Sequence, residues 1–315
     1  MITPIQTLDL AACKVALVLN GASGKADGHS NQDMIRDKLT PHVKEFVPYA
    51  VSNGADIPKA AQQAVRDGAD VVIALGGDGT QSAVAGALAG TDSVMGVLPG
   101  GTFNYFAREL AVGETLEQAL ETLISGQVRQ MDVGEVNGRV FLNNASFGVY
   151  PKILERREAI YKRWGRSRVA AYWSALVTLW EMRDPMHLTV TLDGTRRDFH
   201  TPLAFVARSA YQLENMGLEG ADAIREGRLV LFLAKGKGPR QLIAAGFRLV
   251  IGKSARGQDF DLLVADEIQI DSRKPRRLLA FDGEKERATG PFVLRVQRGA
   301  LRVIVPAGGE KAAAA

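Results

Sequence analysis

Val71-Val72-Ile73-Ala74-Leu75-Gly76-Gly77-Asp78-Gly79-Thr80 is the stretch on which the fold turns. Five apolar residues, most of them β-branched, read as a buried strand, and from Gln81 to Leu88 the apolar positions return at helical spacing. Between them lie three glycines around an acid. In an open α/β sheet, ligands sit at the carboxyl ends of the strands, where such a turn falls. Glycine lets the backbone approach phosphate oxygens without a Cβ clash, and the N–H groups that open the next helix supply donors and a favourable dipole. Two glycines alone indicate only a tight turn packed on a neighbour. Three around Asp78, after a buried strand and before the Thr80 hydroxyl, point to a nucleotide.

The same alternation extends to both sides. Strands are expected at Lys14 to Asn20, Val43 to Ala50 and Val94 to Leu98, with helices at Asn31 to Leu39, Ile57 to Asp67, Phe103 to Leu110 and Leu116 to Ser125. This β/α rhythm predicts a parallel sheet with helices on both faces. A second glycine turn, Leu98-Pro99-Gly100-Gly101-Thr102-Phe103-Asn104, also joins a strand to a helix and belongs beside the first at the same sheet edge. Arg108, four residues past Asn104, is placed to pair with a phosphate or a structural carboxylate. Asn20 to Gly24 ends the first strand with a third turn. Neither GxxxxGK[ST] nor a GxGxxG after the first strand is present, which argues against P-loop ATPases and ordinary dinucleotide dehydrogenases.

From about residue 130 the rhythm changes. Short strand-like runs recur at Asp132 to Val136, Arg139 to Asn144, Leu188 to Leu192, Thr201 to Ala207, Leu229 to Ala234, Glu267 to Asp271, Arg277 to Phe281, Val293 to Gln297 and Leu301 to Val305. Hairpin signals at Asn137-Gly138 and Asp193-Gly194 predict an antiparallel β domain of two packed sheets. Helical patterns at Pro151 to Met182 and Pro239 to Ile251 interrupt it. The expected domains are thus an α/β unit over 1–131 and a β-rich unit over 132–306, with a tail at 307–315.

Charge divides along the same line. The first 130 residues carry a net −5 and the remainder +9, within an overall +4. A basic surface attracts nucleic acid or anionic headgroups, or is merely solvated. With 46% hydrophobic residues and no uninterrupted apolar run of membrane-spanning length, a water-soluble protein is expected. The single cysteine, Cys13, cannot form an internal disulfide and fits a reducing compartment such as the cytoplasm. No secretion signal or lipidation motif is visible. The four histidines show no metal-ligand spacing, and no aromatic RNA-binding strand or zinc-finger pattern supports a nucleic-acid partner.

Taken together, Asn20-Gly21-Ala22-Ser23-Gly24, Gly76 to Thr80, Leu98 to Arg108, Asp132-Val133-Gly134, Asn143 to Gly148 and Asp282-Gly283-Glu284 stand in an order that resembles the diacylglycerol kinase catalytic-domain family, bacterial lipid kinases related to sphingosine and ceramide kinases. The likeness runs from about residue 14 to 306. GGDGT alone is shared with NAD kinases and phosphofructokinases; the LPGGTxN turn and the late DGE carry the specificity. The resemblance implies ATP-dependent phosphoryl transfer to a lipid hydroxyl, of diacylglycerol, ceramide or a related alcohol, with Mg²⁺ and with the nucleotide between the two domains. Its nucleotide contacts carry over to Asn20, Ser23, Gly24, Ser52, Gly76, Gly77, Asp78, Gly79, Thr80, Gly101, Thr102, Asn104 and Arg108, and its general base to Asp282.

A carboxylate within hydrogen-bond reach of an alcohol can take its proton as the bond to phosphorus forms, so Asp282 suits that chemistry; the plain alternative is an Asp-Gly hairpin turn. Glu284 points to the same face if the segment stays extended, and with Asp78 is a candidate Mg²⁺ ligand. Two departures from the family stand out. Gly21 replaces the usual proline, and Arg225 stands where an acidic ligand of a second, structural metal is expected, which argues against that metal; Asp222 and Glu226 read as solvated surface charge, and as a metal site only if the alignment slips. The basic, aromatic stretch from Pro151 to Met182 suits transient contact with the anionic inner face of a membrane. The resemblance also admits a homodimer. The competing readings are an NAD kinase-like enzyme acting on a soluble substrate and a non-catalytic basic protein that binds nucleotide or lipid.

Overall fold

The computed structural model describes residues 8–20, 28–149, 151–152, 185–236, 238–250 and 257–307. They divide into two compact units, the first made of residues 1–133 and 297–315 and the second of 134–296.

Unit 1 is built on four parallel strands, β1 (Lys14–Asn20), β2 (Glu45–Val51), β3 (Val71–Gly76) and β4 (Val94–Pro99), in the order β2-β1-β3-β4. The apolar runs read from the sequence are its centre: Val15 to Leu19 and Val71 to Ala74 are buried throughout, as a sheet covered on both faces requires. The helices are α1 (Gly28–Leu39), α2 (Ile57–Arg66), α3 (Asp78–Leu88), α4 (Tyr105–Glu109) and α5 (Leu116–Ser125). α2 packs on α3, and α1 on α5. The entry to α5 is fixed by a capping box, in which the Thr115 hydroxyl accepts from the Gln118 N–H and the Gln118 side chain accepts from Thr115 N–H.

Unit 2 is an antiparallel sandwich. One sheet contains β8 (Met186–Leu192), β9 (Thr195–Thr201), β13 (Glu267–Ser272) and the first part of β16 (Phe292–Val305), with the end of β5 (Gln127–Val136) and β6 (Arg139–Phe141) beside them. The other runs β12-β11-β10-β7-β14-β15, formed by β7 (Asn144–Gly148), β10 (Leu203–Ala207), β11 (Leu229–Ala234), β12 (Phe260–Ala265), β14 (Arg276–Phe281) and β15 (Glu284–Thr289). Alternate residues of the two inner faces make the core, with Phe141, Phe147, Val190, Leu231, Ile268 and Phe292 fully buried and the rings of Phe147 and Phe292 4.8 Å apart. On the outer face of the second sheet Phe205, Val230 and Phe232 are covered by α6 (Ala210–Asn215) and α7 (Ala221–Arg225). A third helix, α8, spans Pro239–Val250.

Three two-residue loops, Asn137-Gly138, Asp193-Gly194 and Asp282-Gly283, place both central residues at positive φ, the turn whose twist matches that of the flanking strands. The first two are the hairpins expected from the sequence. β7, β9, β12, β15, α6 and α7 were not expected, and the strand expected from Arg139 to Asn144 ends at Phe141 as β6. β9 (TRRDFHT) and β15 (EKERAT) are edge strands in which charge replaces the apolar alternation that would have announced them, a common protection for an open edge. β16 also departs from expectation: Val293 to Gln297 and Leu301 to Val305 are one strand, and the residues from Gln297 on belong to unit 1 rather than to the β-rich unit. There Arg302 and Val303 pair in parallel with Val94 and Met95 of β4, adding a fifth strand to that sheet. Beyond its first two residues, the helical insertion expected from Pro151 to Met182 lies outside the described residues.

Candidate functional site

Parallel register brings the candidate turns of unit 1 to one edge. Asn20 is opposite Val51, which Ser52 follows, and Gly76 is opposite Pro99, so the loops after β1, β2, β3 and β4 leave the same end of the sheet. The Asn20 amide lies 3.4 Å from where a Cβ on Gly54 would stand, beside the loop that holds exposed Ser52. Ser23 and Gly24 fall outside the described residues.

The two glycine turns touch each other. Gly100 N–H donates to the Gly76 carbonyl at 3.0 Å, and a Cβ on Gly101 would come 2.5 Å from the Gly77 Cα. That approach is closed to any side chain, so glycine is required at 101 by packing, whatever else binds there. At Gly76 the neighbour is Thr80, whose Oγ1 would be 2.6 Å from an added Cβ, so the Thr80 hydroxyl folds back over the strand end.

Several side chains brace these turns. Asn104, at φ 51°, spans its own loop, accepting from Gly101 N–H at 2.9 Å and donating to the Gly101 carbonyl at 3.0 Å. Asp78 accepts the Phe106 N–H of α4 at 3.2 Å, which joins the first turn to the second. Burial pushes the Asp78 carboxyl above its ordinary pKa, and amides at Phe106, Tyr105, Asp78 and Asn104 only partly offset this. Gln81, fully buried, donates to the Gly76 carbonyl at 2.9 Å. Sequence reading passed over Gln81 because it reads as one polar position in a helix; the signal was an amide on that helix's buried face. Thr102 is exposed, and Arg108, also exposed, pairs with Glu114 at 3.6 Å. α3 begins at Asp78 without a side-chain cap. The arrangement presents the opening of that helix beside a doubled glycine edge, a setting suited to oxyanions.

In unit 2 the Asp-Gly pair is a turn, and its acid is also buried. Asp282 is 5% exposed, and its carboxylate accepts from three successive backbone N–H groups: Leu142 at 2.6 Å to Oδ2, and Asn143 and Asn144 at 2.8 and 3.0 Å to Oδ1. Its own N–H donates to the Asn144 carbonyl. The cradle is braced from behind, because Asn144 Nδ2 donates to buried Gln212 of α6 and Ser209 caps that helix at Gln212 N–H. Gln212 and Ser209 were not singled out from the sequence, and Asn144 only as part of the stretch Asn143 to Gly148, since their bracing roles arise from contacts across the fold. Because residues 282 and 283 form the turn, the extended geometry that would aim Glu284 alongside Asp282 does not occur; Glu284 is exposed, opposite Phe281 at the start of β15.

Asp222 and Glu226 lie at the surface in ion pairs, as their reading as surface charge implies. Arg225 pairs with Asp222 at 3.2 Å and with Glu214, and Arg228 pairs with Glu226, so a guanidinium already neutralises each carboxylate. Among the described residues no group of three or more His, Cys, Asp or Glu is placed to hold a metal ion. Asp132 accepts the Gly299 N–H at 2.8 Å, where Gly299 sits at φ 59°. Burial, with Asp70 and Asp9 adding to it, pushes the Cys13 thiol pKa up, which leaves it unreactive.

Comparisons with known proteins agree with this architecture. Residues 14–136 match the sequence model described as "Diacylglycerol kinase catalytic domain", and residues 145–305 that described as "YegS C-terminal NAD kinase beta sandwich-like domain". A diacylglycerol kinase of Bacillus subtilis is 34% identical over 138 residues, 43% of this chain and 46% of that protein. One from Staphylococcus aureus is 32% identical over 137 residues, 43% of this chain and 44% of that protein. The chain spans about half the length of the curated relatives it matches. A crystal structure of a diacylglycerol kinase from Bacillus anthracis superposes with a TM-score of 0.69 at 22% identity, covering 93% of this chain and 96% of the other.

Proposed function

Because the chain belongs to the diacylglycerol kinase catalytic-domain family, we propose that it transfers the γ-phosphoryl group of ATP to a lipid hydroxyl, with diacylglycerol the first acceptor to test and ceramide the next. The observation that carries the proposal is the Asp282 carboxylate, buried at the DGE turn and fixed by three backbone N–H groups. A carboxylate held by a backbone cradle has little freedom and a set direction. Three amide donors also occupy most of its roughly four lone-pair sites, leaving little acceptor capacity for a further proton. Phosphoryl transfer tolerates this. Its transition state is loose, the alcohol proton leaves late, and positioning outweighs base strength. Asp282 thus orients the attacking hydroxyl and receives its proton.

Unit 1 supplies the nucleotide contacts in this reading. The N–H groups opening α3, with the Thr80 hydroxyl and the turn at Gly101 and Thr102, take the phosphates, while Asn20 and Ser52 take the remainder of the nucleotide. Mg²⁺ takes oxygen ligands, commonly one or two carboxylates together with substrate phosphates, and Asp78 and Glu284 are the candidate carboxylates. When bound it neutralises phosphate charge. Asp78 is half-buried and already accepts a backbone N–H of α4, so exposed Glu284 is the more available ligand.

The test is transfer of radiolabelled phosphate from ATP to diacylglycerol, ceramide, sphingosine and phosphatidylglycerol, with NAD and a soluble sugar as non-lipid acceptors. Labelling of a lipid is expected, and labelling of NAD or the sugar alone overturns the reading. Asp282→Asn is expected to lower kcat by on the order of 10²- to 10⁴-fold while leaving ATP binding intact. Loss of ATP binding with a normal melting curve would instead make Asp282 a nucleotide ligand.

A further inference from the structure

From Leu229 to Gln258 the chain contains Lys235, Lys237, Arg240, Arg248, Lys253 and Arg256 and no Asp or Glu. At its centre is α8, about 18 Å long at 1.5 Å per residue. Leu242 on one side of this helix is buried. The opposite stripe, Arg240, Ala244 and Phe247 at spacings of four and three, is exposed, and the Phe247 ring is 65% open to solvent, the larger of two such exposures among the described residues. Its two ends are tied to β12 and the turn before it: Lys235 bonds Asp261 at 2.8 Å and the Gly257 carbonyl at 2.9 Å, and Arg248 pairs with buried Asp259. Those pairs consume two of the six cations and hold the helix so that its outer stripe faces away from the sandwich.

An exposed aromatic ring beside exposed Arg240, on a helix whose flanking sequence adds Lys237, Lys253 and Arg256, meets the two requirements of an interfacial helix: an apolar residue to enter the acyl boundary and positive charge to attract anionic headgroups. We propose that α8 is a docking surface for an anionic lipid bilayer, with Phe247 inserting and Arg240 contacting headgroups. A protein partner would more commonly meet an apolar patch with a polar rim of both signs; here the segment holds no acid over thirty residues, and the two acids that follow it, Asp259 and Asp261, are paired with Arg248 and Lys235. This deepens the lipid-kinase reading by naming where the substrate's membrane is met, and it names a different segment of the sequence from Pro151 to Met182.

The test is co-sedimentation of the full chain, without ATP, with vesicles of phosphatidylcholine alone and of phosphatidylcholine containing phosphatidylglycerol. Binding only to the anionic vesicles is expected, weakened about tenfold by Phe247→Ser and about fivefold by Arg240→Ala. Melting curves of both variants should match the parent, since both side chains are exposed. No binding to either vesicle, equal binding by parent and variants, or binding of duplex DNA in place of vesicles would each overturn the proposal. Phosphorylation of a short-chain, monomerically dissolved diacylglycerol should be unchanged in both variants, while that of vesicle-borne diacylglycerol falls. Vesicle binding is read without turnover, so failure of the kinase assignment and failure of this surface give different results.

Discussion

At the scale of single residues, the chemistry rests on backbone that few substitutions would spare. A methyl group at position 101 meets the Gly77 Cα at 2.5 Å, and neither turn can withdraw without breaking the bond from Gly100 N–H to the Gly76 carbonyl. Gly101→Ala is therefore expected to destabilise unit 1 by about 1–3 kcal/mol, as overpacking usually does, and to weaken ATP binding; urea melts and nucleotide titration check both. Asp282 is exacting for a different reason. Asparagine replaces one acceptor oxygen with a donor that faces a backbone N–H, so Asp282→Asn also costs about 1–3 kcal/mol of stability, and its kinetics should be measured well below its melting temperature. The sequence showed that 76–80, 98–104 and 282–284 matter. It did not show that Asn104 and Asp78 are spent bracing the turns, because a side chain's partner across the fold leaves no trace in local spacing. His187 and His200, thirteen positions apart, look unrelated in sequence yet are cross-strand partners with rings 3.7 Å apart.

At the scale of elements, the link between β2 and α2 makes a pH-dependent prediction. The Tyr49 phenol donates to Asp67 at 2.7 Å, and burial together with that bond pushes its pKa up to about 12. The proton is held more tightly in the folded protein than in the unfolded chain. The contribution is therefore fully present below the unfolded pKa of about 10 and is lost as pH rises through about 12. Tyr49→Phe should lose stability at pH 7 to 9 and should then show a shallower decline than the parent between pH 10 and 12, read from melting curves across that range. The elements themselves were legible where burial made them apolar: β1, β3, β4, β11 and α5 follow directly from their runs and periodicity. They were illegible where exposure removed that signal, in β9 and β15, and where a helix was too short to show a period, in α6 and α7.

At the scale of the whole molecule, the two runs Val293 to Gln297 and Leu301 to Val305 read as strands, but neither domain-by-domain reading nor hydrophobic pattern anticipated that they form one strand, β16, whose later part belongs to unit 1. Leu301, Val303, Ile304 and Val305 are buried in unit 1, and burying such side chains contributes roughly 1.5–3 kcal/mol each. Ending the chain after Gly299 is therefore expected to unfold unit 1, whereas ending it after Ala307 should leave its melting temperature unchanged; calorimetry of the two truncations distinguishes them. The pairing of β4 with β16 joins residues about 200 positions apart, a separation that slows closure. On the ribosome, the parallel sheet of unit 1 has one side open from the emergence of Val94 until β16 emerges. During that interval a bare run of amides and carbonyls is available to any stray segment, so a holding chaperone should be needed throughout it and dispensable once β16 has paired with β4.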